Sequence, residues 1–145
     1  MVRAKCLQCG VTLMCGLLAL ASLSALADGN KEDKPALTGV WRMTGGEVKI
    51  EFSDKDVMKI FPHGDNDVII IVCSYSAGKD AMVNAKITAL EGKEKDRLKE
   101  ILPVGLEFNF KWLAKDAAAT LEDLKGDKVP PIMKAHLEGK YDQKK

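Results

Sequence analysis

The sequence is short of the side chains on which most enzymatic chemistry depends. It holds two histidines, His63 and His136, in 145 residues. Nucleophilic catalysis needs a nucleophile, a base and an orienting group within reach of one another. No nucleophile-elbow pattern accompanies either histidine. His63 falls in the turn Pro62-His63-Gly64-Asp65-Asn66-Asp67, and His136 falls on a predicted surface helix. No Gly-rich phosphate loop is present, and Gly45-Gly46 reads as turn glycine with a positive φ angle. Asp54 with Asp56, and His63 with Asp65 and Asp67, have spacings that calcium loops use, but the distal Glu ligand of such a loop is missing. Asp and Asn are also the residues that turns prefer. The acidic side chains sit at outward strand positions or in turns, with no pair set apart as glycosidases require. The expectation is a non-enzymatic protein with no cofactor and no metal.

Charge of one sign is also lacking. Lys plus Arg number 22 and Asp plus Glu 21, a net charge of +1. A nucleic-acid binder would show a basic excess, so no nucleic-acid partner is expected. The first 27 residues contain no acidic side chain at all. Arg3 and Lys5 precede an uncharged stretch from Val11 to Leu26, which ends in Ala25-Leu26-Ala27. A positive start, a short apolar middle and an A-x-A end are the parts of a cleavable secretory signal. The apolar run is shorter than the roughly 20 residues a membrane-spanning helix needs. The predicted organisation is a signal peptide over 1–27, a polar disordered lead-in over 28–36, and one domain over 37–145. The expected location is outside the cytoplasm, periplasmic or secreted. The alternatives are an uncleaved membrane anchor and a lipoprotein signal at Cys15, where Met14 stands in place of the usual small residue.

Cysteine is scarce where it would matter. Of four cysteines, Cys6, Cys9 and Cys15 lie in the predicted signal, so only Cys73 remains after cleavage. An intramolecular disulfide is then impossible even though the compartment permits one. Cys73 ends the apolar run Ile69-Ile70-Ile71-Val72-Cys73, which predicts a buried, inert thiol. Removing residues 1–27 leaves 118, with 20 basic and 21 acidic side chains. That is the size of one domain, which must hold together by packing alone.

What the chain does contain is alternation. Val48, Ile50 and Phe52 alternate with polar residues, as do Val83, Ala85, Ile87 and Ala89, and again Leu106, Phe108, Phe110 and Trp112. Period two marks strands with one dry face. Val40–Met43, Val57–Phe61 and Ala118–Leu124 read as further strands, and Val68–Tyr75, apolar on both faces, as one covered on both sides or lying under another element. Turn residues punctuate these runs at short intervals, which predicts an antiparallel meander without crossover helices. The segment Glu91–Pro103 predicts one or two helical turns with Leu98, Ile101 and Leu102 on one face, or else a charged loop. Pro130-Pro131 predicts the start of a second helix near the C-terminus. Seven or eight consecutive strands are best relieved of open edges by closure. The predicted fold is therefore mainly β, a single antiparallel up-and-down barrel of about 7–8 strands, with a short helix after strand 5 and another near the C-terminus. Its last strand, at Tyr141, would lie beside the first, at Trp41.

Gly39-Val40-Trp41 resembles the opening of calycin-type barrels. Together with Val48–Phe52, Leu106–Lys111, Leu121–Gly126 and Leu137–Tyr141, it resembles a family of small exported bacterial proteins with lipocalin-like barrels. The resemblance implies an antiparallel barrel, export, and an indole at Trp41 packed across the closed end. It supplies no catalytic residue. The functional expectation is an exported binding or interaction protein, holding a small apolar ligand or meeting an envelope protein. A ligand inside the barrel would be bound by Trp41, Phe108, Phe110 and Trp112. The alternative is a protease-inhibitor-like or other partner-binding module that uses the charged lead-in Asp28–Pro35.

Overall fold

The computed structural model describes residues 37–145; the predicted signal peptide and lead-in lie outside them. Eight antiparallel strands follow one another around a closed barrel: β1 (Gly39–Met43), β2 (Lys49–Phe52), β3 (Val57–Phe61), β4 (Ile70–Ala77), β5 (Met82–Glu91), β6 (Glu107–Lys115), β7 (Ala118–Lys125) and β8 (Gly139–Lys144). The ring closes where β1 pairs with β8, Val40 opposite Lys144 and Met43 opposite Tyr141. Closure leaves no row of unpaired backbone groups, so the hydrogen bonding of all eight strands is internal. A short helix α1 (Lys95–Lys99) follows β5, and α2 (Pro131–Leu137) precedes β8. Fold class, strand number and both helix positions agree with the sequence expectation.

The two ends of the barrel are built differently. At one end, β2–β3, β4–β5 and β6–β7 are joined by tight hairpins, and Leu37 and Lys145 lie there too. The Trp41 indole packs towards this end, 1% exposed, its Nε1–H donating to the carbonyl of Thr38 at 3.0 Å. The Tyr75 hydroxyl closes the same end by donating to the carbonyls of Leu37 and Ser53 at 3.2 and 3.3 Å. The opposite end carries the longer connections: residues 62–69, the α1 segment and the α2 segment.

Inward residues fill the interior. Trp112 is the hub. Its ring centroid lies 5.4 Å from Trp41, 5.2 Å from Phe52 and 5.4 Å from Tyr141. Ile50, Met58, Ile60, Ile87, Leu121 and Cys73 are fully buried around this cluster. Burial pushes the Cys73 thiol up to about 12, which keeps it protonated and unreactive.

Strict alternation fails at two places, and both have a physical cause. Ile87 pairs with Cys73 but Ala89 pairs with Val72, so Thr88 is an extra residue in β5. This β-bulge rotates the following residues by one position. Leu90, not Ala89, points inward, and the expected inward Ala89 is half-exposed. A second irregularity lies on β7, where Lys111 faces Glu122 and Asn109 faces Lys125. Asp123 takes a left-handed φ of 57° there, and Leu121 and Leu124 are buried on either side of it.

Two further expectations need correction, and a third holds. The outward residues of β4 are not covered by a second layer. Ile70 and Val72 are half-exposed, and above them Lys59 on β3 reaches Glu91 on β5 at 3.5 Å. The aliphatic stem of Lys59 shields apolar surface while its charged end remains in water. The first and last strands pair as expected, with Trp41 opposite Gln143 and Met43 opposite Tyr141. Of the three residues expected on one face near α1, Leu102 is buried while Ile101 is 52% exposed.

Candidate functional site

The four aromatic residues expected to bind a ligand are brought together, but they pack against one another. Trp41, Phe108, Phe110 and Trp112 are at most 3% exposed. Phe108 stacks on Phe110 at 6.1 Å, and Phe110 meets the Trp112 ring edge-on at 6.5 Å. These contacts are those of a filled interior. Trp112 Nε1 is buried without a hydrogen-bond partner, in the company of rings edge-on to it.

A recess suited to an apolar group lies instead at the helix-bearing end. It has a volume of about 240 Å³. Ile69, Ile71, Leu102, Met133 and Leu137, all buried, form its floor, and Leu98 flanks them. Its rim consists of Pro62, His63, Ile101, Pro130, Ile132 and His136. Three chain segments far apart in sequence supply these residues: the β3–β4 connection with the start of β4, the α1 segment and the α2 segment. Ile101, on the α1 segment, and Ile132, on α2, both border the hollow and are 52% and 59% exposed. Large aliphatic side chains left half in water at the edge of an apolar hollow are the atypical feature of this surface.

The walls of the recess are fixed by polar contacts on its outer side. Pro131 sits at the start of α2, where its missing N–H costs nothing. The buried Tyr141 hydroxyl donates to the carbonyl of Leu137 at 2.6 Å and so pins the last turn of α2 to the core; burial raises the pKa of that phenol. The Glu138 carboxylate accepts from the backbone N–H of Leu124 at 2.9 Å, next to the irregularity at Asp123. In the β3–β4 connection, which supplies Pro62 and His63 to the rim, Asp65 bonds Arg42 and, at 3.2 Å, Lys49. The Arg42 guanidinium, followed by Lys49, holds the Asp65 carboxyl below the usual carboxylate range. Lys49 lies 3.9 Å above the ring of its cross-strand partner Phe61, a cation–π contact on the outside of the barrel. Desolvation, the largest single influence on Lys49, acts against its charge, but hydrogen bonds to Glu51 and Asp65 outweigh it and raise the pKa.

His63 stands at the rim with Glu47 at 3.9 Å, and His136 Nδ1 lies 2.8 Å from the carbonyl of Ile132 in its own helix. Neither histidine has a nucleophile placed against it by a hydrogen bond. Among the described residues no three His, Cys, Asp or Glu side chains converge as a metal site would require, and Asp54, Asp56, Asp65 and Asp67 are turn residues. No helix among them is long and apolar enough to cross a membrane.

Sequence reasoning missed the recess because no local pattern marks it.

The fold and the recess together define a small closed up-and-down β-barrel with an apolar hollow at its helix-bearing end. No family model, no curated protein and no solved structure matches the chain.

Proposed function

We propose that this chain is an exported, non-enzymatic binding protein of the lipocalin-like type that takes one small apolar group at the helix-bearing end of its barrel. The observation that carries this reading is the pair of half-exposed isoleucines, Ile101 and Ile132, at the lip of a hollow whose floor is entirely aliphatic. Ligand sites favour concave apolar surfaces at barrel mouths, with volumes of roughly 300–1,000 Å³ for drug-sized molecules. The hollow here, about 240 Å³, is smaller. Its guest is therefore a short alkyl chain or a single aromatic ring. Export rests on the N-terminal 27 residues.

The test is titration of the full chain with the neutral fluorophore N-phenyl-1-naphthylamine, whose phenyl ring is the single ring that enters the hollow while the naphthyl group rests on the lip. Binding enhances its emission. Ile101→Lys and Ile132→Lys each weaken that binding roughly tenfold, about 1.4 kcal/mol, because each places a charge at the lip. Leu113→Lys, at an exposed aliphatic position on β6 away from the hollow, leaves it unchanged. Equal effects at all three positions, or no enhancement at all, would overturn the reading.

A further inference from the structure

A second concavity lies on the outer wall of the barrel, and its chemistry is the opposite of the first. It spans β4, β5 and β6, with a volume of about 540 Å³. Two rows of outward side chains cross it. In one, Ser76 faces Asn84 and Asn84 faces Asn109; in the other, Ser74 faces Lys86 and Lys86 faces Glu107. Neighbouring strands are about 4.8 Å apart and alternate residues roughly 6.8 Å apart along a strand. The six side chains therefore form a regular grid.

Three observations separate this grid from an ordinary wet strand face. Asn is depleted in strands because it competes with the ladder for hydrogen bonds, yet two Asn residues stand directly opposite each other mid-strand. Departures from local preference of this kind are expected at functional sites. Among the described residues, the side chains of Ser74, Ser76, Asn84 and Asn109 make no hydrogen bond, whereas Thr88 further along β5 caps the carbonyl of Val72 at 3.2 Å. Their capacity is unspent. Finally, the loop after β7 is drawn over the concavity. Gly126 packs so close to β6 that a Cβ there would lie 2.6 Å from the carbonyl oxygen of Glu107, and this approach brings Asp127 to the border.

The charges nearly cancel. Lys86 and Glu107 pair with each other at 3.2 Å, and Asp127 at the border adds one negative charge, which turns anions away. Asn amides and Ser hydroxyls both donate and accept. A ligand that matches them must itself offer groups of both kinds, repeated at regular intervals, without negative charge.

We propose that this wall is a binding site for a neutral oligosaccharide, with Asn84 and Asn109 as its central contacts. A shallow hydrogen-bonding site without a stacking aromatic holds its ligand in the millimolar range.

The experiment is a titration of the full, isotopically labelled chain with cellotriose and with triacetylchitotriose, following side-chain amide signals by NMR. The signals of Asn84 and Asn109 shift with one or both sugars, and that of Asn66, in the β3–β4 connection, does not. The double variant Asn84→Thr/Asn109→Thr replaces strand-averse residues by strand formers, so it folds at least as stably while losing saturable binding. Absence of shifts at Asn84 and Asn109 with both sugars, shifts that Asn66 shares, or binding that survives the double variant would each overturn the proposal.

Discussion

Trp112 and Trp41 meet at 87° with ring centroids 5.4 Å apart, and the two indoles differ in one respect: Trp41 Nε1 has a partner in the Thr38 carbonyl, while Trp112 Nε1 has none. Replacement by Phe removes the same atoms from both. At Trp41 it also breaks a hydrogen bond; at Trp112 it removes a buried donor that is already unsatisfied, a group worth about 1–3 kcal/mol in desolvation. Both variants are destabilised by loss of packing, and Trp41→Phe is the less stable of the two by about 1–2 kcal/mol. Urea midpoints of the two variants measure the difference directly.

The phenol of Tyr141 ties α2 to the core through the Leu137 carbonyl. Tyr141→Phe leaves that buried carbonyl without its donor, at a cost of about 1–3 kcal/mol. The loss is local to the helix that forms one wall of the apolar hollow. Hydrogen exchange over residues 131–138 accelerates more than exchange in β3 and β4.

Asp65 ties the β3–β4 connection to Arg42 on β1 and Lys49 on β2. Its pKa is lowered by Arg42 and Lys49, so the unfolded chain takes up a proton first as the pH falls. Stability contributed by this carboxylate is present above its unfolded pKa of about 3.9 and is lost as the pH drops through the lower folded value. The group is exposed and the effect correspondingly small. In a series of urea midpoints from neutral to acid pH, Asp65→Asn shows a shallower acid decline than the unsubstituted chain. Identical declines would refute the coupling.

Cys73 gives the reverse sign. Its thiol pKa is raised from 9.0 to about 12 by desolvation, so above pH 9 the unfolded chain releases a proton that the folded chain retains. Stability then falls with rising pH, by up to about 1.4 kcal/mol per unit. Cys73→Ala removes this part of the alkaline decline. In the unsubstituted protein, a thiol reagent at mild pH modifies Cys73 only as fast as the barrel opens.

The turn between β4 and β5 stores strain that one substitution relieves. Asp80 and Ala81 both have positive φ, 54° and 60°, as a type I′ hairpin requires, and Gly is preferred there. Ala in the left-handed region costs roughly 1–2 kcal/mol, offset in part by the entropy that Gly restores to the unfolded chain. Ala81→Gly raises the urea midpoint, by about 0.5–1 kcal/mol in stability.

The barrel was legible because its strands obey a two-residue period against a filled core, and any chain with seven or eight such runs has the same edge problem to solve. Both helices were legible from their prolines and helix-forming runs. The bulge at Thr88 was not, since an apolar residue on each side of the slip, Ala89 and Leu90, fits either phase. The hollow between Ile101 and Ile132 depends on where loops from three parts of the chain meet, which no local pattern encodes.

Leu37 and Lys145 share the hairpin end, and the apolar hollow opens at the other. An affinity tag or surface linker joined after Lys145 therefore holds the barrel by its stem, with the lip of Ile101 and Ile132 facing outward. Immobilised in that orientation, the protein presents its hollow to whatever flows past.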